Sequence, residues 1–333
     1  SSSSSSSSSF SSPACSADGS AVFVGLDQAR SGQLYKIAAA DGRSLWHAPL
    51  SFKIGSSSPA ISTDEGVVYI NGNDHRMHAY TTNDGTERWA SSLLPSDQAT
   101  ITDGGQYNSY STPAVSRDGK FLYVGGEDGR LHAMFASDGT EMWVYPPRAA
   151  TISGKTTMRS SPAIGHNDGT VFIGSSDGKM YAVDAASGEE IWAFHVPDGS
   201  AVVSSPMVHA DGTVVFGCQD DFVRALNATT GTLAWEFQTD GPVVGSPAVS
   251  GDGRTVYIGG TDAKLYAIRL RIRAGEGGLS QSSSSNSSSS NSSSGGGGSD
   301  GRLNSSPSPS RLPTATSPSS FLLLAPSSSS SSA

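Results

Sequence analysis

The stretch that decides the fold runs Ser161-Pro-Ala-Ile164, Asn167-Asp-Gly169, Thr170-Val-Phe-Ile-Gly174, Ser176-Asp-Gly178, Lys179-Met-Tyr-Ala-Val183, Ala186-Ser-Gly188 and Glu189-Glu-Ile-Trp-Ala-Phe194. Its β-branched and aromatic runs are four to six residues long and separated by three glycine-containing turns. That spacing predicts short strands joined as hairpins, with no run long enough for a helix. Working outward, the same phrase occurs six times. It opens at Pro13, Pro59, Pro113, Pro162, Pro206 and Pro247, each after serine except Thr112 in the third copy. Five copies close on Trp46, Trp89, Trp143, Trp192 and Trp235, which are all the tryptophans of the chain. Their steps of 43, 54, 49 and 43 residues predict stacked or radially arranged units.

The turns repeat with the strands. The first carries Asp18-Gly19, Asp64-Glu65-Gly66, Asp118-Gly119, Asp168-Gly169, Asp211-Gly212 and Asp252-Gly253. Asp-Gly suits a tight hairpin because glycine takes positive φ without steric cost. The third turn carries Gly42, Gly85, Gly139, Gly188 and Gly231, each four residues before its tryptophan. Ten residues before the tryptophan stands Ala79, Ala133, Ala182 or Ala225, with Lys36 in the first copy. A large indole opposite a small residue predicts a ring docked between neighbouring units, and these tryptophans and glycines are the expected docking residues. A four-stranded meander cannot bury both faces alone. Packing such sheets around an axis does so, and the predicted fold is an all-β propeller of four-stranded antiparallel blades.

The propeller is expected over residues 11–273. Residues 1–10 and 274–333 are rich in serine, glycine and proline, and their composition predicts disorder. The apolar run Phe321–Ala325 is too short to cross a bilayer. The net charge of −9 is spread through the repeats, which excludes the basic stripe of a nucleic-acid groove. Cys15 and Cys218 stand at non-equivalent positions, fit neither a disulfide framework nor a zinc pattern, and read as small buried hydrophobes. The sixth copy keeps Lys264-Leu-Tyr-Ala-Ile268 but lacks the third-turn glycine and the tryptophan, continuing as Arg269-Leu-Arg-Ile-Arg273. Either the ring has six blades with an imperfect seam, or the chain is part of a seven- or eight-bladed ring.

The phrase Ala182-Val-Asp-Ala-Ala-Ser-Gly188-Glu-Glu-Ile-Trp192, with the Ser-Pro-Ala openings and Gly178-Lys-Met-Tyr-Ala182, resembles the tryptophan-docking motif of pyrroloquinoline-quinone (PQQ) repeat propellers. The resemblance implies the fold. It leaves open a quinoprotein dehydrogenase, a non-catalytic assembly lipoprotein, a sensor domain, or an appendage of an adenylate-forming enzyme. In the dehydrogenases the resemblance implies calcium and PQQ stacked on an aromatic ring and often on adjacent cysteines, which this chain lacks. No catalytic, cofactor-binding or metal-ligating residue is assigned, and PQQ and calcium are expected only under the dehydrogenase alternative, oxidising an alcohol or sugar.

The leading expectation is a non-catalytic scaffold binding a protein or a small polar ligand, with no nucleic acid and no membrane span. A meander places the blade-to-blade connectors and second turns on one face, and the first and third turns on the other. Residues 91–111 and 146–160 interrupt the period on the connector face, where insertions often bind. They nominate Tyr107, Tyr110, Arg148, Lys155 and Arg159, with His195 on the same face. His78 and His132 occupy the slot of Tyr35, Tyr181 and Tyr266 and read as strand residues. Asn227-Ala-Thr229, Asn286, Asn291 and Asn304 match the glycosylation pattern, which matters only in a secreted chain.

Overall fold

In the computed structural model the described residues are 11–27, 31–94, 110–150, 152 and 156–270. They form six antiparallel sheets in chain order, five of four strands and a sixth of three, and no helix. Each sheet is one copy of the phrase and one blade. All six lie in one compact unit, Ser1–Ile268. A second unit, Arg269–Ala333, is described only at 269–270. The third strand of the sixth blade ends at Arg269. The expected extension through Arg273, residues 1–10 and the tail from 274 lie outside the described residues.

Blade 4 shows the local logic. Thr170–Ser175 pairs with Lys179–Asp184, which pairs with Glu190–His195. Both faces of its second and third strands are buried, so the runs are continuously apolar rather than alternating. Alternate residues then serve different neighbours. Phe172 packs into a cluster with Val214, Phe216 and Leu226 of blade 5, whereas Val171 and Ile173 join Tyr123, Leu131 and Met158 of blade 3. The same sharing links blade 1 to blade 2 and blade 2 to blade 3. The core is therefore a series of seams, each built by two successive blades.

The first turns correct one expectation. Each holds a single left-handed residue three positions after the turn's first residue, and in two copies it is not glycine: Glu65 (φ 57°) and Asp168 (φ 55°). The recurring acid does other work. Asp18, Asp64, Asp118, Asp211 and Asp252 accept the backbone N–H two residues on, and Asn167 takes that role in the fourth copy. These side chains mimic a backbone turn and fix the loop. Hydrogen bonds from Ser16 and Ser20 hold the Asp18 carboxyl down at about 2.

Cys15 corrects another. It is exposed, while Cys218 is buried. Cys15 ends the first strand of blade 1, in the register position of Ile61 and Ile164, which pack against the preceding blade's cluster. Among the described residues nothing covers the Cys15 thiol.

Candidate functional site

Among the described residues two repeated links build the first four seams, and the fifth, after Trp235, carries only the first of them. The hydroxyl residue of each opening accepts the backbone N–H of its counterpart one blade earlier: Ser12 to Ser58 at 2.8 Å, Ser58 to Thr112 at 3.0 Å, Thr112 to Ser161 at 2.9 Å, Ser161 to Ser205 at 2.9 Å and Ser205 to Ser246 at 3.1 Å. The second link is the indole. Trp46, Trp89, Trp143 and Trp192 donate Nε1–H to the carbonyls of Thr82, Ala136, Ala185 and Ala228 in the following blade, at 3.0–3.2 Å. Each ring lies on that blade's third-turn glycine, where a Cβ would fall 2.6–2.7 Å from the indole at Gly85, Gly139, Gly188 and Gly231. Gly42 has no atom within 4 Å of that point. The alanine ten residues earlier is the indole's cross-strand partner within its own blade, followed by a one-residue bulge. These residues hold neighbouring blades together.

The departures from the repeat gather on the connector face. Backbone bonds join connectors to second turns, such as Val202 N to Ser175 O and Val243 N to Cys218 O, which puts both on one face. Arg159 forks onto Glu127 at 3.1 and 3.2 Å, and its guanidinium stands 4.7 Å over the Tyr110 ring. Tyr110 and Arg159, 49 residues apart, therefore meet. Arg148 forks onto Glu141 at 2.5 and 3.3 Å, and Arg130 braces the Arg148 and Ala150 carbonyls. His195 stands apart, exposed at the end of the outer strand of blade 4 and paired in register with Lys179. Tyr107 and Lys155 lie outside the described residues.

Beneath this surface runs a polar slot that the sequence showed only as a tyrosine position. Four residues after a second-turn aspartate stands His78, His132, Tyr181, Arg224 or Tyr266, hydrogen-bonded back to that aspartate. In three blades an outer-strand glutamate closes the other side: His78 Nδ1 lies 2.8 Å from Glu87, Arg224 Nε 3.3 Å from Glu236, and His132 Nδ1 3.6 Å from Glu141. Burial by itself pulls the His132 imidazole down, but the Asp128 bond and the two carboxylate charges outweigh it and raise its pKa. His132 and Arg148 hold Glu141 down at about 2. In three blades the slot is an ion pair, and in two Tyr181 and Tyr266 donate to Asp177 and Asp262. Among the described residues no three His, Cys, Asp or Glu side chains are grouped to hold a metal ion. No helix there is long and apolar enough to cross a membrane.

The comparisons with known proteins fit this geometry. The outer membrane protein assembly factor BamB from Yersinia pestis is 29% identical over 140 residues, 42% of this chain and 31% of that protein. The match thus spans about a third of the length of that relative. The crystal structure of BamB from Moraxella catarrhalis superposes with a TM-score of 0.61 at 20% identity, covering 78% of this chain and 73% of that one, and shows the shared propeller fold. The family model described as outer membrane protein assembly factor BamB matches residues 2–164 and 148–303. Six copies of a blade phrase, joined by indole and hydroxyl links and matched along most of their length, place this chain in the family of the outer membrane protein assembly factor BamB.

Proposed function

We propose that this chain is a non-catalytic propeller that binds protein partners through its connector face. The observation that carries the reading is the distribution of departures from the repeat. The first turn recurs in six copies and the third in five, while in the insertions Glu127 holds Arg159, Arg159 covers Tyr110, and Glu141 holds Arg148. An exposed Arg159 and a partly buried Arg148 on a braced, aromatic-containing surface suit a protein interface. The relatives are named for outer membrane protein assembly, which favours a scaffold role here over alcohol or sugar oxidation.

Photo-crosslinking tests the reading. A benzophenone side chain at position 110 or 159 should give protein adducts in the native cell, whereas one at 187 or 252, on the opposite turns, should not. Equal labelling from both faces, or none, would refute it. Stoichiometric PQQ binding with calcium and dye-linked alcohol turnover would overturn the non-catalytic part.

A further inference from the structure

The six copies align the chain against itself. At the end of the second strand five copies carry glycine, namely Gly25, Gly125, Gly174, Gly217 and Gly259, and the second carries Asn71. In most copies the glycine has a steric cause, because the connector to the next blade lies against it. A Cβ at Gly25 would fall 2.6 Å from Ile54 Cδ1, and one at Gly174 2.6 Å from Val202 Cγ1. Blade 2 is followed by the longest interruption of the period, and there the position takes a side chain.

Asn71 is only 3% exposed. Its Nδ2 donates to Ser111 O at 3.4 Å, and among the described residues its buried Oδ1 has no hydrogen-bond partner. Across the seam, Asp128 Oδ1 accepts from Arg130 N at 3.1 Å and meets His132 Nε2 at 3.1 Å. Asp128 Oδ2 is buried without a hydrogen bond, the Arg130 guanidinium standing off at 3.8 Å. Both residues line one cleft with Leu93, Tyr110, Gly126 and Glu127, and its free space is about 10 Å³. That is room for one water-sized group. Both Glu127 oxygens are already held by Arg159. The two buried atoms of this cleft without a hydrogen bond among the described residues, Asn71 Oδ1 and Asp128 Oδ2, are both acceptors, and buried acceptors are costly to leave unmet.

A primary ammonium matches this site in size, in donor count and in charge opposite Asp128. We propose that the Asn71–Asp128 cleft receives the side-chain ammonium of a lysine presented by a protein partner. The partner rests on the reading of the connector face as a binding surface. The site itself is tested without that partner.

The probe is Nα-acetyl-lysine N-methylamide, titrated into the full-length ¹⁵N-labelled chain and compared with its Nε-acetylated analogue. Saturable shifts at the Asn71 side-chain amide and the Gly126 amide are expected from the first peptide and not from the second. Asn71→Gly restores the residue of the other five copies, so it should keep the thermal transition while weakening binding about tenfold through loss of a charge-assisted hydrogen bond. Asn71→Asp should tighten binding about fivefold by adding a second carboxylate. Equal shifts from both peptides, no shifts, or unchanged affinity in Asn71→Gly would overturn the proposal, the cleft then holding a water only. Amine binding with silent crosslinks at positions 110 and 159 would instead refute the proposed function and leave the site standing.

Discussion

Removing one indole gives a direct test of how blades are joined. In Trp192→Ala the chain loses a half-buried ring tilted against Phe172 at 5.7 Å, its 3.0 Å bond to Ala228 O, and its contact with Gly231. A fully buried tryptophan would remove ~150–250 Å² from water. A half-buried one removes roughly 100 Å², or ~2.5 kcal/mol at ~25 cal/mol/Å². The hydrogen bond adds ~1 kcal/mol, and the gap opens to solvent, so no sealed cavity adds to the cost. The expected destabilisation is about 3.5 kcal/mol, below what full burial would give.

Gly231→Ala sharpens the argument. Alone it should cost about 2–3 kcal/mol, because φ is +69° and the new Cβ strikes the indole. With Trp192 already removed only the backbone part remains, about 1 kcal/mol. The double mutant should therefore be less destabilised than the sum by about 1–2 kcal/mol. Urea unfolding followed by far-UV circular dichroism measures all three variants. An unchanged midpoint in Trp192→Ala, or additive effects, would refute docking on Gly231.

Three further outcomes are expected. Ser161→Ala strands the Thr112 N–H at the seam of blades 3 and 4, so it should cost about 1–2 kcal/mol and speed hydrogen exchange at Thr112. For the polar slot, Glu141 is held low, so its stabilisation is present above its unfolded value near pH 4.5 and lost as pH falls towards 2. The His132 pKa is raised, so its stabilisation is present below its unfolded value of 6.5 and lost as pH rises through the folded value. The stability difference between the native chain and His132→Gln should accordingly be larger at pH 5.5 than at pH 8.5, and equal differences would refute the pairing. Finally, a thiol reagent should modify the exposed Cys15 in the native state, but Cys218 only on unfolding, since burial pushes its thiol up to about 12.

Much of this architecture was legible before any coordinates, because its determinants are local. Four apolar runs, three turns and one tryptophan per copy specify a blade within a single window, and the fold followed from counting copies. The links between blades were less legible. Ser161 reads as the first residue of a strand phrase, yet its hydroxyl serves Thr112, 49 residues away, and nothing in one copy announces the partner. The direction of docking was likewise hidden, since Trp192 rests on Gly231 rather than on the glycine four residues before it. Asp168 was misread because an Asp-Gly pair does not say which residue turns left-handed or which side chain closes the loop. Asn71 was visible as the one departure from a column of glycines, but only burial showed its unspent oxygen. Of the residues nominated from the insertions, Tyr110 and Arg159 came together because insertions in adjacent copies emerge on the same face.

The chain of hydroxyls, each accepting the amide of its counterpart one blade earlier, has an evolutionary consequence. Each inner opening offers the same acceptor backward and the same donor forward, so any two openings can meet without new chemistry. Excision of one whole copy, from Thr112 to Ser160 for example, would bring Ser58 against Ser161 with donor and hydroxyl both intact. Duplication of a copy would be equally neutral at the joint. Blade number can thus change by whole copies without altering the hydroxyl joint.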